Sequence, residues 1–431
     1  MRSRLLTMAA VLSVAAAGLA ACSPSDGTGD GGTSGGNDSG GGNVELEFQT
    51  GLAVDSDILV ALTEITDAFY TENPDITIDL VPRSNSYESD ITVRLAAGDA
   101  PDLWATHGWS LLRYSEFLEP LQDEPWAQYV NPALDEAMRN SDGEFFAYPA
   151  DTDIAGIVYN VDVLSDAGID PASLTTWDAF NDALVTLKED GITPITASGK
   201  DNWFAGNLAD WMLSGAYTDD QQQALADGTF VEDGYAMVLD QFAQWREAGL
   251  FNVDYSSATT DDIAQALGTG TTGFVFIQNS LTTNALQFNP DANLGFMPVP
   301  SFVGDTGYLI GGEGQAFGIS SDAVDVDAAK AYLAFLAEPE NTTALAAAAG
   351  NAPGLTNATA DLGHLQSSYD EFVAPGDFPL VPYFDRVYLP NGMWNTVVTT
   401  ADSLITGQSD VDSAISQLQT DFDSLYGQAT E

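Results

Sequence analysis

Val44-Glu45-Leu46-Glu47-Phe48, the spaced set Ile58, Leu59, Leu62, Ile65 and Phe69, and Ile76-Thr77-Ile78-Asp79-Leu80-Val81 follow one another along the chain. The first run alternates apolar and polar residues, as a half-buried strand does. The second repeats at helical spacing and stops at Asn73-Pro74, after which a new strand begins. Helical residues Val93 to Ala97 then end at Gly98, and Leu103-Trp104-Ala105 reads as the next short strand. Strand, helix, strand, helix, strand is the order of a mostly parallel sheet with covering helices, so the expected class is α/β.

Upstream, Ser23 to Asn43 contains no large apolar residue and reads as a flexible tether. As a Gly-rich chain its twenty-odd residues span roughly 25 Å. Before it, Arg2 and Arg4 precede an apolar stretch from Leu5 to Ala20 that is too short and too rich in small residues for a membrane span. Leu19-Ala20-Ala21 stands directly before Cys22, the only cysteine in 431 residues. The pattern predicts a lipoprotein signal peptide over 1–21, and a lipidated Cys22 at the head of a tether over 22–43. The folded part then sits on the extracytoplasmic face of the cell membrane and meets the bilayer only through its anchor. With the single thiol taken, no disulfide can form within the mature chain, and stability must come from burial.

Downstream the pattern is more helical. Trp177-Asp178-Ala179-Phe180 opens a helix through Leu187 with Thr176 as its N-cap, and Tyr235 to Ala248 repeats the apolar spacing up to Gly249. The strands Gly273 to Ile277 and Ala316 to Ile319 frame a loop rich in Asn, Pro and Gly. Val326 to Leu336 and Val411 to Tyr426 read as the last long helices. The length beyond the tether exceeds what a single core fills, so two domains are expected.

Lys and Arg number 11 against 64 Asp and Glu, a formal net charge of −53. No basic patch can be assembled from so few cations, which excludes nucleic acid as a partner. The same field repels an anionic membrane surface. Acidity of this kind is first a solvated surface, although a cationic solute such as a polyamine would suit it as well.

Motifs for chemistry are scarce. His107 and His364 are the only histidines, so neither a histidine-rich nor a thiolate metal site is available. Asn289-Pro290-Asp291-Ala292-Asn293-Leu294 comes nearest to a calcium loop and lacks glycine at its sixth position. Gly32-Thr33-Ser34-Gly35-Gly36 has the letters of a hydrolase elbow but lies in the tether, not in a strand-to-helix turn. Gly311-Gly312-Glu313-Gly314 lacks the third glycine of a dinucleotide loop, and no lysine follows. Neither a cofactor nor a metal is expected, and paired carboxylates for glycoside hydrolysis could be drawn from too many acids to decide anything.

Several segments, in order, resemble the family 1 extracellular solute-binding proteins, the carbohydrate-binding subunits of ABC importers typified by maltose-binding protein. They are Phe69-Tyr70-Thr71-Glu72-Asn73-Pro74-Asp75-Ile76, Leu95 to Leu103, Tyr148-Pro149 with Val158-Tyr159-Asn160, Ala167-Gly168-Ile169, Leu174 to Trp177, Gly191 to Ile195 and Gly295 to Pro300. The glycine loop at Gly311 and the helix Ala328 to Leu336 complete the set. The resemblance runs from about residue 44 to the C-terminus. It implies a periplasmic-binding-protein-like fold of two α/β domains with the ligand cleft at the hinge, one domain over 44–152 plus 305–338 and the other over 153–304 plus 339–431. It also implies a monomeric, non-enzymatic receptor that takes a small sugar and passes it to the membrane permease subunits of an importer. A secreted glycoside-processing enzyme is the rival from a different class.

Site residues follow from the resemblance position by position. Thr106, His107 and Trp109 fall at the cleft lip after Pro101-Asp102, and Asp153 falls where maltose-binding protein has a sugar-contacting glutamate. Trp394 falls at a stacking tryptophan, and Gln278 and Asn279 in a contact loop where Ser280 replaces the tryptophan many members carry. Trp203 and Glu313 join them on chemistry, because a sugar needs aromatic faces for its C–H groups and fixed acceptors for its hydroxyls. Trp211 reads as core.

Overall fold

The structure is a computed structural model that describes residues 43–429 apart from 55, 85–86, 107–109 and 360. The expected signal peptide, Cys22, the expected tether as far as residue 42, His107 and Trp109 therefore lie outside the described residues.

The opening pattern forms as its spacing predicts, with strands β1 (Val44–Gln49), β2 (Ile76–Val81) and β3 (Leu103–Ala105) separated by helices Asp57–Glu72 and Tyr87–Ala97. Further along come β4 (Tyr148–Pro149), β5 (Asp151–Ala155), β6 (Ile157–Asn160), β7 (Thr193–Ile195), β8 (Thr272–Phe276) and β9 (Leu294–Met297). The last strands are β10 (Leu309–Glu313), β11 (Ala316–Ile319), β12 (Ala352–Pro353) and β13 (Leu380–Val381). Thr176 caps the helix Trp177–Glu189 by accepting from the Ala179 N–H, and Gly98 and Gly249 take the left-handed φ of 69° and 62° that ends a helix.

Two sheets build two lobes. The first has the order β2-β1-β3-β11-β4 and the second β7-β8-β6-β9. Each has its own core: Phe48 and Phe317 meet edge to face at 5.0 Å in the first, and Phe180 and Phe274 pack as tilted rings at 4.7 Å in the second. Leu345 and Leu355, expected with the second domain, pack into the first core. The sheets are mixed rather than mostly parallel. β1 pairs in parallel with β2 and β3, whereas β11 runs antiparallel to β3 and β4, and β6 antiparallel to β8 and β9. The reason is connectivity: parallel neighbours need long crossovers, while strands that arrive directly from the other lobe can pair in the opposite sense.

Between the lobes lies a third sheet, β12-β5-β10-β13. β5 follows β4 after one residue and leads into β6, and β10 leads back into β11, so both strands are crossings between lobes. They pair antiparallel, with Gly312 opposite Asp153 and Glu313 opposite Thr152. Residues at their centre are thus fixed by main-chain bonds at the point where two separately packed bodies meet.

Candidate ligand-binding cleft

Polar residues at the centre of a crossing strand normally face water, yet Asp151, Thr152 and Asp153 on β5 are all buried. The carboxylates of Asp151 and Asp153 line the larger of two compartments of a cleft. The smaller, about 400 Å³, is lined by Trp203, Trp394, Asn207 and Asp385 from the second lobe and by Arg113 from the first. The larger, about 660 Å³, is lined by Asp151, Asp153, Glu313 and Asn351, with Ala53 and Asp57 contributed by the first lobe. Gln278, Tyr383 and Arg386 line both and form the wall they share.

The aromatic side of the cleft rests on two helix starts. Trp203 opens the helix Trp203–Leu213, is 36% exposed and stacks on Phe204 at 4.2 Å. Trp394 opens the helix Trp394–Ile405, and its ring lies against Gly206, where a Cβ would come within 3.0 Å of it. A partly exposed indole beside polar groups is the arrangement that binds an amphipathic ring face.

The polar side is built on residues 383–386. Asp210, buried, accepts from the backbone N–H groups of Phe384 at 3.2 Å and Asp385 at 2.8 Å, and so pins that segment. Tyr383 then donates its hydroxyl to Asp153 Oδ2 at 2.8 Å. Arg386 pairs with Glu313 and lies over the Tyr383 ring at 4.2 Å. Gln278 donates to Asn207 Oδ1 at 2.9 Å, and Asn351 donates to Asp151 Oδ1 at 2.8 Å. The glycine loop at Gly311 has its explanation here. A Cβ on Gly312 would lie 2.5 Å from the Tyr383 ring, and one on Gly314 would lie 2.0 Å from Asp151 Oδ1. Gly312→Ala is accordingly expected to cost about 1–3 kcal/mol of stability, the scale of overpacking a filled site, measured by urea denaturation. Gly98→Ala, with nothing near its missing Cβ, should perturb only the local backbone.

Loss of solvation pushes the Asp151 carboxyl up to about 7 and the Asp153 carboxyl up to about 6, against the bonds from Asn351 and Tyr383. Burial also raises Glu313, and Arg386 opposes it. An unfolded aspartate loses its proton near pH 4 (about 3.9), so the folded chain holds protons that the unfolded chain has released. The stability linked to these two groups is full below that pH and is lost as pH rises through 6 and 7. Glu47, held low by Arg94, acts in the opposite sense but in more acid solution. The unliganded protein should therefore unfold at a lower urea concentration at pH 8 than at pH 5, and Asp151→Asn should flatten that slope. An unchanged slope in the variant would show that Asp151 does not hold its proton.

Of the residues read from the sequence, Trp203, Gln278 and Trp394 come together on the smaller compartment, and Asp153, Gln278 and Glu313 on the larger. Asn279 stands beside them, donating to the Ile154 carbonyl at 2.6 Å. Thr106 is wholly buried, bonded to the Ala316 carbonyl, and lines neither compartment. Trp211 is core. Sequence reasoning missed Tyr383, Arg386, Asp151 and Asn351. The one available signal was Tyr383-Phe384-Asp385-Arg386 itself, which places one of only 11 basic residues among aromatics.

The profile of the bacterial extracellular solute-binding proteins matches residues 55–343. The chain belongs to this family. Within it, the chain is 32% identical over 349 residues to the melibiose/raffinose/stachyose-binding protein MelE of Bacillus subtilis, an alignment covering 79% of this chain and 80% of the relative. Among solved structures, the Bacillus subtilis binding protein MsmE in an open conformation superposes with a TM-score of 0.82 at 29% identity, over 90% of this chain and 98% of that one. A sugar transporter of Bacillus licheniformis in complex with stachyose superposes with a TM-score of 0.76 at 30% identity, over 89% of this chain and all of that one. The chain shares the two-lobed fold of these solute-binding proteins, and the candidate cleft lies on the strands that join the lobes.

Proposed function

We propose that this solute-binding protein captures an oligosaccharide of the melibiose, raffinose and stachyose kind in the cleft, binds it without chemical change, and delivers it to the permease of an ABC importer. The observation that carries this reading is the pairing of two indoles, Trp203 and Trp394, with a wall of buried carboxylates and amides across Gln278, Tyr383 and Arg386. Sugar rings present C–H faces to the first and hydroxyl protons to the second. The relatives that bind such sugars support it.

In this reading the lobes, 44–152 plus 305–338 and 153–304 plus 339–431 with 339–355 counted where Leu345 and Leu355 pack, close about the third sheet on a monomeric chain. Small-angle scattering should then show the radius of gyration falling on addition of ligand. Cys22 carries the lipid that holds the receptor at the membrane. Cys22→Ser should release the protein to the medium or leave it unprocessed, and a normal membrane-bound mature form of that variant would contradict the anchor.

The test of binding is a thermal-shift and calorimetric panel of melibiose, raffinose, stachyose, maltose and spermidine. A ligand at 100 times its Kd adds about 2.7 kcal/mol of stability, and one of the three galactose-containing sugars should do so, recovered intact after long incubation. Stabilisation by spermidine alone would favour a receptor for cations, a reading that the buried carboxylates also suit. Shortened products in the incubated sample would favour an enzyme.

A further inference from the structure

Buried acceptors gather on the larger compartment. Asp151 Oδ2, Asp153 Oδ1, Glu313 Oε2, Asn351 Oδ1 and Gln315 Oε1 are buried atoms without a hydrogen-bond partner among the described residues, and all five residues line that compartment. Asp151 and Glu313 are 0% and 1% exposed. Three neighbouring donors are already engaged. The Asn351 amide serves Asp151 Oδ1, the Tyr383 hydroxyl serves Asp153 Oδ2, and the Arg386 guanidinium is paired with Glu313 and covered on one face by the Tyr383 ring. Gly314, with no Cβ, lets Asp151 and Asn351 close on the loop. A metal ion does not explain the cluster, because no group of three or more His, Cys, Asp or Glu side chains among the described residues is placed to hold one.

A buried acceptor without a donor is costly, more so in a medium of low dielectric. The partner that relieves several such acceptors at once must bring several donors in a small volume. A sugar ring does this through its hydroxyl protons, each hydroxyl being a donor as well as an acceptor. A ring carrying a carboxylate brings acceptors and negative charge to the same wall, where the single guanidinium is committed to Glu313.

We propose that the larger compartment is the anchoring subsite for one end ring of the saccharide, recognised through its hydroxyl protons, and that it excludes acidic sugars by charge. The compartment of Trp203 and Trp394 takes the remaining rings by their faces. The proposal rests on the sugar-binding reading and adds to it which end chemistry is admitted. Discrimination of this kind is built by leaving the wrong ligand with an unpaired, desolvated charge.

Calorimetry on the mature chain at pH 8 can test it with three probes: raffinose, raffinose whose terminal galactose C6 has been oxidised to the carboxylate, and the methylamide of that acid. The acid should bind about a hundredfold more weakly than raffinose or worse, the scale of leaving a buried charge unpaired. The methylamide, of greater bulk but no charge, should stay within about tenfold of raffinose. In Asp151→Asn the ratio of raffinose to acid affinity should shrink by about tenfold, because one repelling carboxylate is gone. In Trp203→Ala both affinities should fall together and the ratio should hold. Equal binding of acid and raffinose, or equal weakness of acid and methylamide, would overturn the charge exclusion while leaving sugar binding intact. Absence of binding by raffinose and by every other saccharide of the panel would remove both readings.

Discussion

Arg386→Met is expected to lower the stability of the unliganded protein at pH 8 by about 3 kcal/mol, the lower end of the range for breaking a buried ion pair. The lower end applies because the Arg386 side chain retains 19% of its exposure and water screens part of the pair. Its partner Glu313 has none, so the carboxylate left behind has no route to solvent except through a change of structure. The loss reaches further than one pair. Burial already raises Asp153, Glu313 and Asp385, and Arg386 is the charge that opposes the rise in each. Without it their folded pKa values climb, the folded state retains more protons than the unfolded state over a wider range, and stability falls more steeply as pH rises. Urea denaturation at pH 5 and pH 8 should show a small difference between variant and parent at the lower value and a large one at the higher. Arg386→Met combined with Glu313→Gln should recover much of the loss at pH 8. An equal loss at both pH values, not recovered in the double variant, would mean that Arg386 acts by packing on Tyr383 and not by charge.

Trp394→Ala should weaken sugar binding by roughly 1.5–3 kcal/mol, the scale of uncovering a large apolar side chain, or about ten- to a hundredfold or more. Its ring lines the smaller compartment and is seated against Gly206 on the neighbouring helix, so removing it also empties part of a helix contact. Calorimetry with the cognate sugar has to be read beside the melting temperature of the unliganded variant for that reason. Trp394→Phe keeps an aromatic face and should lose much less affinity. Asp153→Asn should lose an intermediate amount, on the order of 1–2 kcal/mol, because Tyr383 can still donate to the amide oxygen. If Trp394→Ala binds as the parent does, or loses binding only in step with its own unfolding, the indole belongs to the helix interface and not to the site.

What could be read in the sequence divides along local and non-local lines. The alternation at Val44 to Phe48, the helical set from Ile58 to Phe69 and the cap at Thr176 are short-range signals, and the structure builds the expected elements on them. The mixed sheets and the shared wall of the cleft are not short-range. β11 reaches β3 across more than two hundred residues, and Tyr383 reaches Asp153 across 230. No periodicity announces such a meeting. Asp151-Thr152-Asp153 shows the difficulty most plainly, since the resemblance singled out Asp153 alone and no local signal marks Asp151, although all three are buried at the start of a crossing strand. Trp394, placed by the family resemblance, and Trp203, placed on the chemistry of sugars, both line the smaller compartment, and the glycines at 312 and 314 make sense only once Tyr383 and Asp151 are seen against them.

A crystal structure of the mature chain grown with stachyose tests the assignment of this cleft most directly. A hexose ring face is expected against Trp394 or Trp203, with hydroxyl oxygens of an end ring within about 2.6–3.2 Å of Asp151, Asp153 or Glu313. Stachyose bound at full occupancy outside both compartments, with Trp394 and the β5 carboxylates untouched, would contradict that assignment.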